Sequence, residues 1–107
     1  SMNNEKANEL HYHSILYTAL ASFGANITAN QETALGKADL VLKMPKTIYV
    51  IELKYNRSAN AAMRQIEQRE YAKAHLDSGK RIVKLAINFS SKDRNIESYE
   101  AEEEKML

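Results

Sequence analysis

Thr47-Ile48-Tyr49-Val50-Ile51-Glu52-Leu53-Lys54 is the stretch on which the reading of this chain turns. Its β-branched and aromatic residues form an unbroken run, the composition of a strand. Apolar side chains on both faces predict a strand in the middle of a covered sheet. Two opposite charges close the run at i and i+2. That spacing turns Glu52 and Lys54 to one face, with Val50 below them and Leu53 on the other side. A carboxylate and an ammonium at the end of a buried strand need partners, because desolvating either alone is costly. Upstream, Gly36-Lys37-Ala38-Asp39-Leu40-Val41-Leu42 reads as a second apolar strand, interrupted by Asp39. The turn Lys43-Met44-Pro45-Lys46 joins the two as an antiparallel hairpin, which sets Asp39 beside Glu52. Neighbouring carboxylates repel unless a cation lies between them, and hard oxygen donors suit magnesium.

Asp39 followed thirteen residues later by Glu52-Leu53-Lys54 resembles the Asp…(Asp/Glu)-x-Lys signature of the PD-(D/E)XK nuclease superfamily. Tyr12-His13-Ser14 on a first helix, Gly36 three residues before the aspartate, Gln65 on a later helix and a last strand from Val83 to Phe89 fall in that family's order. The likeness covers roughly Glu9 to Ser91 and is nearest to the subfamily found as the C-terminal domain of bacterial AAA-ATPase-like proteins. It implies a restriction-endonuclease-like α/β core of order αβββαβ, with a mixed four-stranded sheet flanked by helices. It implies Asp39, Glu52, Lys54 and Gln65 as catalytic residues. Mg²⁺ or Mn²⁺ would be held by Asp39, Glu52 and the backbone carbonyl of Leu53, with His13 and Glu9 as additional candidates. The implied partners are nucleic acid, DNA ahead of RNA, and an ATPase domain; a homodimer stays open, and the implied location is the cytoplasm, away from membranes. Related nucleases of the RecB type carry a tyrosine four residues after the glutamine. Gln65 and Tyr71 are six apart and do not share a helical face, so Tyr71 stays outside the expected site.

The 107 residues, 44% hydrophobic and 27% charged, are enough for one domain with its own core, taken as residues 2–107. Ser1-Met2 reads as a tag remnant, and the family likeness suggests an excised C-terminal domain. The chain has no cysteine, which excludes disulfides and thiolate chemistry. No apolar run is long enough to cross a membrane. His11, His13 and His75 lack zinc-ligand spacing, and there is no glycine-rich phosphate loop. Net charge is only +1, yet Gly36 to Arg94 holds 13 of the 15 basic residues and 6 of the 14 acidic ones. A basic centre between acidic ends suits a phosphate backbone, and equally a solvated lysine-rich surface.

Taken in order, Asn4–Phe23 reads as a helix with Leu10, His13, Tyr17 and Leu20 on one face, stopped by Gly24. His13 there is either a core histidine bonded to backbone or a residue reaching the site. Ala25–Thr33 is a polar edge strand, at whose end Glu32 is a third carboxylate or plain surface charge. Gly36 supplies a positive φ or a close backbone approach. Ser58 caps a helix running to Leu76, ended by Asp77-Ser78-Gly79, with Gln65 on the flank of its apolar face. Arg81–Phe89 is a covered strand, parallel to Thr47–Lys54 through a crossover. Ser90 to Asp93 then caps a C-terminal helix, Arg94–Glu104. The favoured function is metal-dependent hydrolysis of phosphodiesters in DNA or RNA. The alternative is a catalytically silent nuclease-like module for nucleic-acid binding or for assembly with an ATPase. The plainest reading of the triad is a structural Glu–Lys pair with Asp39 as a turn residue, and a sugar- or nucleotide-binding module has no motif behind it.

Overall fold

A computed structural model describes residues 2–105. Helix α1 (Met2–Ser22) leads into β1 (Asn26–Thr33), β2 (Gly36–Lys43) and β3 (Thr47–Tyr55). Helix α2 (Ala59–Gln68) and a 3₁₀ segment (Lys73–Ser78) connect to β4 (Arg81–Ser90), and β5 (Asn95–Glu103) follows. The five strands form one mixed sheet in the order β1-β2-β3-β4-β5. Neighbours are antiparallel except β3 and β4, which run parallel in the αβββαβ order of a restriction-endonuclease-like core.

The apolar run of β3 becomes the middle strand because it has a core on each side. Ile48 and Val50 pack with Ala62, Met63 and Ile66 of α2. Ile51, Leu53 and Tyr55 pack with Tyr12 and Leu16 of α1 and with Phe89 of β4. Tyr12 stacks on Phe89 with ring centroids 4.3 Å apart. No described side chain of α1 is fully buried, so this helix lies on the sheet rather than inside the fold. Its 21 residues do not make it a membrane span, and no helix among the described residues is long and apolar enough to be one.

Two expectations need correction. The C-terminal helix expected over Arg94–Glu104 is strand β5, so the sheet has five strands and not four. A helix would set Glu100, Glu103 and Glu104 on one stripe, where like charges repel. The strand separates them. Glu102 and Glu104 turn to Lys84 at 3.8 and 3.4 Å, while Glu103 pairs with Arg81 at 2.9 Å. The helix expected from Ser58 to Leu76 is also shorter. Ser58 caps it as read, its Oγ accepting from the Ala61 N–H, but it ends at Gln68, and Glu70 takes a left-handed φ of 55°. That break turns Tyr71 and Ala72 into the core, each 2% exposed, which repays the strained residue.

Gly36 meets both of its expected requirements. Its φ is +149°, and a Cβ there would lie 2.8 Å from the Tyr71 hydroxyl. The turn between β1 and β2 can therefore press against the residues following α2, and β2 is drawn towards that face.

Candidate active site

The pairing of β2 with β3 runs up to Leu40 opposite Ile51. At the next rung, side chains take over from the ladder. Asp39 Oδ2 accepts from the Leu53 N–H at 2.9 Å, and Glu52 Oε1 accepts from the Asp39 N–H at 3.4 Å. The Asp39 carbonyl bonds to His13 Nε2 at 2.9 Å; a carbonyl only accepts, so that nitrogen carries the proton. Apolar packing on both sides forces the two strands together up to this rung. The carboxylates then hold them where they separate.

Glu52 is 2% exposed and its acidity shows it. Burial first, then the charge of Asp39 and a hydrogen bond with it, push the carboxyl from its usual 4.5 up to about 9, against the pull of Lys54. Glu9, on α1, is also raised, by burial first and then by Asp39, while Lys54, Arg57 and Lys6 oppose the shift. Glu9, His13, Asp39 and Leu53 line one cleft of about 170 Å³. On the α2 side, Lys54 Nζ donates to Gln65 Oε1 at 2.6 Å. The structure thus brings Asp39, Glu52, Leu53, Lys54, Gln65, His13 and Glu9 to the same end of β2 and β3. His13 bonds the backbone of Asp39 and lines the same cleft. Glu32 lies elsewhere, paired with Lys37 at 3.7 Å on the surface. Tyr71 is a core residue, clear of the group.

Each carboxylate has one oxygen engaged by a backbone N–H, which leaves the others and the Leu53 carbonyl as hard oxygen donors. A buried carboxyl that keeps its proton beside a second carboxyl belongs to a donor set that a divalent cation would stabilise in ionised form. These are hard oxygen donors of the kind a divalent cation takes, with water completing the shell. Among the described residues there is no group of three or more His, Asp or Glu side chains placed to hold a metal, so backbone and water donors are required. Such a shell would draw mainly on Asp39 and Glu52.

Sequence reasoning passed over the support behind Lys54. The Asn56 N–H donates to the Phe89 carbonyl at 2.8 Å, and the Arg57 N–H donates to Asn88 Oδ1 at 2.9 Å. Asn88 is 2% exposed and also donates to Glu97 Oε2. These bonds pin the end of β3 to β4. The signal available was a lone asparagine inside the apolar run of β4, since a buried amide needs partners.

Residues 7–99 match the family model of the PD-(D/E)XK nuclease superfamily. No curated protein and no solved structure matches the chain.

Proposed function

Since the chain belongs to the PD-(D/E)XK nuclease superfamily, we propose that it is a Mg²⁺- or Mn²⁺-dependent nuclease hydrolysing phosphodiester bonds in DNA, or in RNA. One observation carries the reading: Asp39 and buried Glu52 meet at the parting of β2 and β3, beside a lysine. A surface ion pair would not need a carboxyl raised to about 9, whereas functional sites collect such groups. Asp39, Glu52 and the Leu53 carbonyl would hold the cation. A divalent ion there supplies a water of lowered pKa and neutralises charge on the scissile phosphate. Lys54 would orient the attacking water, take its proton or pair with the phosphate. Gln65 fixes the Lys54 ammonium in place through its 2.6 Å bond. His13 would hold the Asp39 backbone from α1, and Glu9, in the same cleft, would add a further carboxyl. An ATPase domain in a bacterial, cytoplasmic protein, or a second copy of the chain, would govern access to substrate.

Cleavage assays test this directly. Purified protein with Mn²⁺ or Mg²⁺ should degrade or nick DNA or RNA, and chelator should stop it. Glu52→Ala should abolish cleavage, and Lys54→Ala should slow it by about 10²-fold or more. Gln65→Ala should be milder. Cleavage that survives Glu52→Ala would belong to a contaminant and would end the nuclease reading.

A further inference from the structure

Helix α2 has a polar flank that the core does not use. Ala59, Ala62, Met63 and Ile66 are buried against the sheet. Ala61, Arg64, Gln65 and Gln68 succeed one another at three- and four-residue spacing beside them, a continuous helical face. With Lys54 and Arg57 from the end of β3, and Arg69 beyond the helix, this face lines a shallow cavity of about 350 Å³. The wall holds four cations, two amides and no carboxylate.

On the surface outside the cavity, Lys37, Lys73 and Arg81 face Glu32, Glu70 and Glu103. No carboxylate among the described residues lies within ion-pair distance of Arg57, Arg64 or Arg69. Arg69 is braced by donation to the Leu35 carbonyl at 2.8 Å. Unneutralised cations in a concave wall repel one another and concentrate anions. Guanidinium forks match phosphate oxygens. No aromatic side chain lines the cavity, so bases find no surface to stack on.

We propose that this cavity is a phosphate seat for the strand being cut, holding a phosphate next to the one at Asp39 and Glu52. The proposal rests on the nuclease reading and adds to it that substrate is chosen by backbone charge and not by base. Lys54 lines the cavity and bonds Gln65, while its charge also acts on Glu52, so it joins the two parts of the site. From Ala61 to Gln68 the helix face extends about 10 Å at ~1.5 Å per residue. That is room for the phosphate next to the one being cut.

Binding is measured by fluorescence anisotropy, in chelator, to a labelled single-stranded oligonucleotide with a 5′-phosphate, its 5′-hydroxyl counterpart and a circular form. Two variants probe the cavity without touching the carboxylates. Ala61→Glu places a carboxylate three residues after the Ser58 cap, where Ser-x-x-Glu forms a capping box, so the helix is kept. Arg64→Ala removes one exposed cation. Wild type should bind with affinity that falls with salt, and Arg64→Ala should lower the log–log salt slope by about 0.7–0.9. Ala61→Glu should weaken binding by about tenfold, the worth of one charge-assisted hydrogen bond. Weakening restricted to the 5′-phosphorylated strand assigns the seat to a terminal monophosphate; weakening for all three assigns it to internal diesters. Unchanged affinity and slope in both variants, or no salt-dependent binding by wild type, overturns the seat. Cleavage and its loss in Glu52→Ala are scored separately. Weakened binding in the variants with no cleavage by wild type keeps the seat and overturns only the nuclease reading.

Discussion

Glu52→Gln is the substitution that isolates the physics of the site. In the folded protein without metal, Glu52 keeps its proton up to about pH 9, against 4.5 for the ordinary side chain. Between those values the folded state binds more protons than the unfolded one, so stability falls as pH rises. The slope is at most about 1.4 kcal/mol per pH unit for one group, or roughly 3 kcal/mol from pH 7 to 9. For a domain of this size that is on the order of 10 °C in Tm. Glutamine keeps the shape, can accept from the Asp39 N–H through its oxygen and can donate its amide to the Asp39 carboxylate, with no proton to lose. The variant should therefore show a flatter Tm profile over pH 7–9 in chelator and melt at or above wild type at pH 9. Glu9 is raised too and is common to both proteins. His75, lowered by burial first, titrates below 6.5 and stays out of this window. Excess Mn²⁺ should raise the Tm of wild type by mass action and that of the variant much less. Differential scanning fluorimetry reads both effects. Parallel profiles of the two proteins from pH 7 to 9 would refute the protonated buried carboxyl, and equal stabilisation by Mn²⁺ would refute its part in holding metal.

Three other outcomes follow from the fold. Lys84, 6% exposed and flanked by Glu67, Glu102 and Glu104, anchors β5. Lys84→Ala should cost about 3 kcal/mol in urea denaturation and expose the β4–β5 amides to hydrogen exchange, whereas loss of stability with those amides still protected would deny it that role. Gly36→Ala should cost about 2 kcal/mol through its positive φ and its contact with the Tyr71 hydroxyl. The cost should shrink in a Tyr71→Phe background, and a strictly additive double mutant would place the strain elsewhere. Because His75 is held below its usual pKa, its contribution is present above pH 6.5 and lost as pH falls through its folded value. A His75→Gln variant should lose less stability than wild type between pH 7 and 5, and an identical loss would remove His75 from the account.

The central hairpin and the site were legible because they depend on contrast within short segments. Asp39 and Glu52 stand out as charges inside apolar strands, and one antiparallel turn is enough to bring them together. What was missed depends on partners distant in sequence. Ser90 to Asp93 reads locally as the cap of a helix over Arg94–Glu104, and Lys84 sits as one charge in the run of β4. Neither explains the other until β4 and β5 are paired, when Lys84 meets Glu102 and Glu104. The end of α2 is similar. Nothing local ends the helix at Gln68, but Tyr71 is worth more in the core than Glu70 loses in a left-handed conformation.

The distribution of charge links these observations. Sequence counting placed the basic excess in the central segment, and the fold gives two parts of it different surroundings. Lys84 is spent on the acidic neighbours that hold β5, and Arg81 on Glu103. Lys54, Arg57, Arg64 and Arg69 gather instead beside the carboxylates. The acidic C-terminal strand thus neutralises one end of β4. Those four cations, none within ion-pair distance of a carboxylate among the described residues, lie where β3 and α2 meet, the position from which a polyanion could be held against Asp39 and Glu52. If β5 were detached by Lys84→Ala, its glutamates would be free to compete for those cations. Nucleic-acid affinity should then fall even though no residue of the cavity has changed. Anisotropy on the Lys84→Ala protein, at a temperature where it stays folded, reads this coupling. Affinity equal to wild type would show that the two charge clusters are independent.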